Sequence, residues 1–167
     1  MSALRIQALR LLYRVAYRLL QVRALFVRHP GPGVKCVLTH ERSVLLVRHS
    51  YGSREVWQLP GGGAHRGETP RQAATREMRE ELAVGVSEQS WRELVTVDLR
   101  LERVPVHLTC LHAELADAVV RPDPVEIAEV RWFPMGELPF RRGAEVKRLV
   151  ELLVKEPEQG SAQRWEA

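Results

Sequence analysis

The chain has 167 residues, of which 45% are hydrophobic and 28% charged, a balance typical of one soluble globular domain with its own core. No uncharged run approaches the roughly 20 apolar residues of a membrane-spanning helix. The two cysteines, Cys36 and Cys110, lie in apolar runs, which predicts buried thiols in a reducing, cytoplasmic compartment rather than a disulfide or a metal pair. The net charge of +4 is uneven, because residues 1–40 carry six arginines, one lysine and no acid. The basic pI therefore reflects the N-terminal segment and is weak support for a nucleic-acid partner.

Residues 4–28 predict a helix, since they are rich in Leu, Arg, Val and Ala and contain no proline or glycine. Arg10, Arg14 and Arg18 fall on one stripe, and apolar residues lie across from it. Four interpretations stay open. Two are favoured: an anchor in a membrane interface, and docking on the chain's own domain or on a second subunit. The others are an organellar transit peptide and a basic arm for nucleic acid.

The cluster Pro30-Gly31-Pro32-Gly33 is a breaker and predicts the domain boundary. We therefore expect a basic helix and linker over 1–33, the main domain over 34–155 and a flexible tail over 156–167. Within the domain, residues 34–39 and 44–47 read as two strands joined by a turn. A polar loop carrying Arg48, His49 and Arg54 follows them.

A glycine-rich loop and a helix follow, in the segment LPGGGAHRGETPRQAATREMREELAV over residues 59–84. Thr69 is a helix cap, Pro70 suits the first helical position, and Gln72 completes a capping box. The helix therefore begins near residue 70. Its core face is predicted from a repeat at every fourth residue, formed by Ala74, Met78 and Leu82.

Three acidic residues of this helix, Glu77, Glu80 and Glu81, are spaced to crowd one side. Taken alone, such a cluster is most often a solvated face laced with arginine–glutamate pairs. The alternative is a divalent-cation site, because clustered carboxylates become favourable around a hard cation. The glycines at 61–63 favour the second interpretation, since a surface helix does not need them and close backbone approach to a metal or phosphate does.

Later elements follow from apolar runs and breakers. We expect two long strands at 91–101 and 104–114, followed by a loop with two prolines at 116–124. A further strand at 130–133, a helical turn at 135–138 and a final amphipathic helix at 142–154 complete the chain. Strands on both sides of one helix, with another helix at the end, indicate a mixed sheet between helices.

The charged positions also match a known pattern. Gly62, Glu68 and the run from Arg76 to Val84 resemble the Nudix box, G-x5-E-x7-R-E-U-x-E-E-x-G-U, in which U is a bulky apolar residue. The one departure is Ala83 in place of the pattern's glycine, and Gly85 two residues later offers a similar helix ending. The resemblance covers roughly residues 34–155. It implies an α/β class fold, the Nudix-type α/β/α sandwich with a mixed sheet, here preceded by the N-terminal amphipathic helix.

The resemblance implies a hydrolase that cleaves the pyrophosphate bond of a nucleoside diphosphate linked to another moiety, with Mg²⁺ or Mn²⁺ as cofactor. Metal ligands are implied at Glu77, Glu80 and Glu81, with a backbone carbonyl of Gly61 or Gly62. Glu77 is either a ligand or the general base. Arg76 orients Glu77 and Glu80, Glu68 ties the loop to the helix, and Gly62 is a structural position of the box.

Substrate contacts are less marked in the sequence. Arg48, His49 and Arg54 are candidate phosphate contacts, with solvated loop charges as the alternative. Two other functions stay open. One is a catalytically idle binding module. The other is a membrane-tethered hydrolase of a lipid-linked or prenyl diphosphate, peripheral at the inner face of a membrane.

Overall fold

The computed structural model describes residues 3–24, 31–51, 54–101, 104–155 and 163–164. Three helices and six strands make up these segments, with one short 3-10 helix at Glu88–Ser90. The helices are α1 Ala3–Ala24, α2 Pro70–Leu82 and α3 Ala144–Lys155. The strands are β1 Gly31–His40, β2 Ser43–His49, β3 Arg92–Leu101, β4 Val104–Glu114, β5 Ile127–Pro134 and β6 Gln163–Arg164. The strands and helices expected above between residues 34 and 155 are present, with ends shifted by a few residues. The helical turn expected at 135–138 is instead a turn at 135–136, where the Glu137 amide donates to the Pro134 carbonyl oxygen.

The described strands form one mixed sheet of order β5-β2-β1-β4-β3-β6. β1 runs parallel to β4, whereas β2 is antiparallel to both β1 and β5. Alternate residues of β1 serve opposite faces, as the two-residue period of a strand requires. Cys36 and Leu38 pack with α2, and Val37 packs with α3. The sheet is therefore sandwiched between α2 and α3, which confirms the α/β/α expectation.

The predicted breaker cluster is partly strand. Gly31, Pro32 and Gly33 pair with Val106, His107 and Leu108 of β4, so β1 begins three residues before the expected position. Backbone pairing with a parallel neighbour outweighs the local turn signal of glycine and proline. At the other end, Gln163–Arg164 of the expected tail pairs with β3. Residues 25–28 of the expected helix lie outside the described residues.

α1 docks on the domain through its polar side. Arg10 Nε donates to the Pro124 carbonyl oxygen at 2.8 Å, and Arg14 Nε donates to the Ser50 carbonyl oxygen at 3.1 Å. Tyr13 donates its hydroxyl to Glu126 Oε1 at 2.5 Å. In the part of the chain that the structure describes, no helix is both long enough and apolar enough to cross a bilayer.

Candidate active site

The glycine loop lies beside the first half of β1, in the place that β2 leaves open. Only His40 and Thr39 of β1 pair with β2. Nearer the start of the strand, the amides of Val34 and Cys36 each donate at 2.9 Å to loop carbonyls, those of Gly62 and Pro60. The loop is therefore fixed by backbone hydrogen bonds to a central strand and is rigid enough to support a site.

One of the three consecutive glycines is required by backbone packing. A Cβ on Gly61, whose φ is +126°, would overlap the Val34 carbonyl oxygen and lie 3.1 Å from the carbonyl carbon. A Cβ on Gly62 would lie 2.6 Å from Glu77 Oε1, which is a side-chain atom and can shift. A Cβ on Gly63 would lie 4.0 Å from its nearest neighbour, the Pro32 carbonyl oxygen. Sequence reasoning assigned these glycines to the approach of a ligand, whereas the structure shows that β1 already excludes a side chain at Gly61.

The predicted start and core face of α2 are confirmed. Thr69 accepts the Gln72 amide, the Gln72 side chain accepts the Thr69 amide, and Pro70 opens the helix. The core face is fully buried at Ala74, Met78 and Leu82. Because α2 is anchored at its cap and along one face, the side chains at its C-terminal end hold defined positions next to the glycine loop.

Glu81 is the innermost carboxyl group of the site. It is only 2% exposed, and its Oε2 accepts the Gly61 amide at 2.9 Å. Burial raises the pKa of Glu81 to about 8, although Lys35 and the Gly61 N–H act in the opposite direction. In the absence of a cation, the carboxyl group therefore keeps its proton to a higher pH than an ordinary glutamate, and a cation that binds there displaces that proton.

Arg76 connects the loop to the remaining carboxylates. Its Nε and Nη2 donate to the two oxygens of Glu68 at 2.8 and 3.0 Å, and Nη2 also donates to the Gly63 carbonyl oxygen at 2.9 Å. Its Nη1 donates to Glu77 Oε1 at 2.9 Å and to Glu80 Oε2 at 3.1 Å. The paired hydrogen bonds from Arg76 hold the pKa of Glu68 near 2. Loop and helix thus share one guanidinium.

The three clustered carboxylates occupy different environments. Glu77 is mostly buried, and burial raises its pKa above the ordinary value despite the adjacent Arg76. Glu80 is 57% exposed and leans toward Arg76. With Glu81 buried, the three carboxyl groups extend from the interior to the surface, and burial raises the pKa of Glu77 and of Glu81.

A fourth carboxylate, Glu126, approaches this cluster from a distant part of the chain. At the end of α2 the carbonyl oxygens of Glu81 and Leu82, which have no partners within the helix, accept the amides of Asp123 and Arg121 at 2.7 and 2.8 Å. The loop carries Glu126 close enough for its charge to raise the pKa of both Glu77 and Glu81. Sequence reasoning missed Glu126, because no spacing relates it to the box.

The helix ends at the residue that departs from the box. Ala83 adopts the left-handed conformation, with φ +54° and ψ +33°, and its amide closes the last turn on Arg79. The suggestion that Gly85 supplies this ending is therefore wrong: the left-handed position is Ala83 itself. A glycine would hold this conformation without steric cost.

The three candidate phosphate contacts lie in different surroundings. Arg48 forms an ion pair with Glu129 and lies over the Trp57 ring, 5.1 Å from its centroid. His49 is buried, and burial lowers its pKa to about 3, so it is neutral at physiological pH. Arg54 is exposed in the loop after β2. A phosphate-binding role for these residues stays a prediction.

The oxygen atoms of this cluster are of the kind that binds a divalent cation, because hard cations prefer carboxylate oxygens as ligands. Glu77 and Glu80 share one positively charged partner, the Arg76 guanidinium. Among the described residues, no three Asp, Glu, His or Cys side chains converge closely enough to hold a metal ion in this conformation. Glu77 and Glu80 turn toward Arg76 instead, so a cation would compete with Arg76 for these two carboxylates while finding Glu81 beside Gly61.

Comparison with known proteins gives consistent matches. The NUDIX domain model matches residues 29–153. The chain is 33% identical over 120 residues to the putative mutator protein MutT4 of Mycobacterium tuberculosis, covering 66% of this chain and 46% of that protein. It is 31% identical over 132 residues to an ADP-ribose pyrophosphatase of the same species, covering 66% and 62%. The chain thus spans about half the length of these relatives. A crystal structure of a MutT NUDIX hydrolase from Burkholderia pseudomallei superposes with a TM-score of 0.68 at 21% identity, covering 75% of this chain and 99% of that one.

Proposed function

The chain belongs to the Nudix hydrolase family, and on that basis we propose that it is a metal-dependent pyrophosphohydrolase acting on a nucleoside diphosphate linked to another moiety. The observation that carries the proposal is the contact between Glu81 and the Gly61 amide. This contact joins the glycine loop to α2 through a buried carboxyl group, and both segments belong to the Nudix box.

Mg²⁺ or Mn²⁺ would be held by Glu80 and Glu81 with a carbonyl of the glycine loop, and Glu77 would either complete the ligand set or act as the general base. When bound, such an ion neutralises charge that develops on phosphate oxygens as the pyrophosphate bond breaks. The rest of the work is positioning, which the rigid loop and the capped helix supply.

Among the chain's own groups, Glu77 is suited to accept a proton from water. Its pKa is raised by burial, which brings a carboxylate closer to the ideal for a general base at neutral pH. Arg76 keeps the Glu77 carboxylate oriented through Oε1. Glu126, aligned by the Tyr13 hydroxyl, adds negative charge beside the pair and favours the entry of a cation.

The test is hydrolysis by the full chain of a substrate panel that starts with ADP-ribose, because one relative is named for it. Nucleotide sugars, dinucleoside polyphosphates, nucleoside triphosphates and capped RNA complete the panel. Chromatographic detection of the nucleoside monophosphate product identifies both the substrate and the bond cleaved. Removal of divalent ions with EDTA should abolish turnover, and Mg²⁺ or Mn²⁺ should restore it.

Glu81→Gln and Glu80→Gln should each lower the rate by about two orders of magnitude or more, because each removes a carboxylate proposed to hold the ion. Glu88→Gln is the matched control, since Glu88 is exposed and its backbone carbonyl, which accepts from Arg71 and from the Trp91 amide, is kept by the substitution. Circular dichroism confirms that each variant is folded. Full turnover in both box variants, or hydrolysis in EDTA, would contradict the mechanism.

A further inference from the structure

α1 carries an apolar stripe that the rest of the described chain leaves uncovered. Leu4, Leu11, Leu12 and Val15 are 79%, 60%, 62% and 50% exposed. Of the nine exposed large hydrophobic residues in the segments that the structure describes, six lie on this helix between Leu4 and Val15. Such a concentration on one element marks an interaction surface rather than scattered surface apolar residues.

The outward direction of this stripe follows from how α1 is anchored. Arg10 and Arg14 lie four residues apart on one face and donate to the Pro124 and Ser50 carbonyl oxygens. Tyr13, beside them, donates to Glu126. The polar face is therefore turned to the domain, and the apolar face is turned away from it, which is the reverse of an amphipathic helix packed on its own core.

The charges decide between the two occupants that could cover such a face. α1 contains no acidic residue. Arg10 and Arg14 are held against the domain, whereas Arg5 is exposed about 20° from Leu12 around the helix. A second copy docked face to face would bring the Arg5 of each copy into the same apolar interface, with no carboxylate on either α1 to pair with it. An anionic lipid surface supplies the opposite charge together with an apolar phase for the leucines.

We propose that the outward face of α1, formed by Leu4, Leu11, Leu12 and Val15, lies in the interface of an anionic bilayer and holds the protein at the membrane surface. The helix lies in the plane of the interface, since it is not apolar enough to cross. Its anchoring points, Ser50, Pro124 and Glu126, border the end of α2, so the bilayer lies on the far side of α1 from the carboxylate cluster. This proposal does not depend on the hydrolase activity.

The experiment is flotation of the full chain with vesicles of phosphatidylglycerol mixed with phosphatidylcholine, and with vesicles of phosphatidylcholine alone. The test variant is Leu11→Gln/Val15→Gln, which removes apolar surface without changing charge. The matched control is Val119→Gln/Phe140→Gln, which removes two exposed apolar side chains from the domain. Arg5→Gln probes the charge contribution. Light scattering during size exclusion measures the oligomeric state of each variant without vesicles.

We expect binding to anionic vesicles that weakens by more than about tenfold in Leu11→Gln/Val15→Gln and is unchanged in the control. Binding should fall several-fold in Arg5→Gln and on neutral vesicles. No binding to anionic vesicles, or equal binding by test and control variants, overturns the proposal. A dimer of the unaltered chain that dissociates in Leu11→Gln/Val15→Gln, without vesicle binding, identifies a second copy as the occupant and also overturns it.

Discussion

Replacing Gly61 by alanine tests whether the glycine loop is packed against β1 as described. Two independent penalties meet at this residue. Its φ of +126° lies where side chains are strained, and the added Cβ would overlap the Val34 carbonyl oxygen. That oxygen belongs to the backbone of a central strand, so it cannot move aside as a flexible side chain would.

The magnitude follows from these two terms. An unfavourable positive φ costs about 1–3 kcal/mol, and forcing an extra carbon into a packed site costs about a further 1–3 kcal/mol. Alanine also reduces the entropy of the unfolded chain, which returns about 0.4–1 kcal/mol. We therefore expect Gly61→Ala to lower the free energy of unfolding by about 1–5.6 kcal/mol.

The assay is urea denaturation of the metal-free full chain, with two glycine controls. Gly67 has φ +86° and no atom within 4 Å of an added Cβ, so Gly67→Ala reports strain alone. Gly85 has open space and no positive φ, so Gly85→Ala should be neutral or stabilising by up to about 1 kcal/mol. If Gly61→Ala loses no more stability than Gly67→Ala, the contact with Val34 is wrong and the loop does not lie where we place it.

Three further predictions concern neighbouring residues. Gly62→Ala should change the free energy of unfolding by less than about 1 kcal/mol, because its Cβ meets only the flexible Glu77 carboxylate. The Gly62→Ala variant should nonetheless hydrolyse substrate much more slowly, because the added Cβ displaces the Glu77 carboxylate. An unchanged rate of hydrolysis would argue against a role for Glu77 in the reaction. Ala83→Gly should raise the free energy of unfolding, measured by urea denaturation, by about 0.5–1 kcal/mol, since the native φ of +54° is strained for alanine; a loss of stability would place the left-handed residue elsewhere. Burial raises the pKa of Glu81 from 4.5 to about 8 in the folded protein, so the folded state retains a proton that the unfolded state has released. The metal-free protein should therefore become less stable as pH rises through this window. Urea unfolding of Glu81→Gln should lack that decline, and an equal slope in both proteins would show that Glu81 is not the titrating group.

Local chemistry accounts for what the sequence predicts well. The Thr69 and Gln72 side chains satisfy backbone groups within three residues of themselves, and the burial of Met78 follows from helical spacing. Arg76 and Glu68 are joined across a loop short enough for the motif spacing to fix their contact. Each of these features depends on neighbours in the chain, so the pattern alone carries the information.

The different burial of the clustered carboxylates also follows from helical spacing, although the expectation above treats them as equivalent. Glu81 lies seven residues after Ala74 and therefore only about 20° from it around the helix, whereas Glu80 lies about 120° away. The first belongs at the margin of the core face and the second outside it. The expectation that Glu77, Glu80 and Glu81 share one side of the helix therefore misses the difference in burial between Glu81 and Glu80.

Other contacts depend on tertiary pairing and have no local signal. Glu126 reaches the site because the amides of Asp123 and Arg121 satisfy the end of α2. Tyr13 reaches Glu126 across 113 residues of sequence. Neither residue stands at a spacing that relates it to the box, so only the fold brings them together. The outward direction of the apolar face of α1 also has no local signal. Amphipathicity predicts a polar and an apolar face, but it does not say which of them docks on the domain.

The burial of Glu81 is itself an argument for a functional site. Its neighbours on α2, Met78 and Leu82, are apolar and fully buried, and a leucine at position 81 would add to that core without a desolvation penalty. The chain instead places an ionisable group there, with one oxygen held by the Gly61 amide and its pKa raised by burial. In the proposed site, a cation bound beside Glu81 in the folded state alone would stabilise that state by a free energy that grows with the logarithm of the affinity. One carboxyl group would then lower the stability of the metal-free fold and also hold the ion.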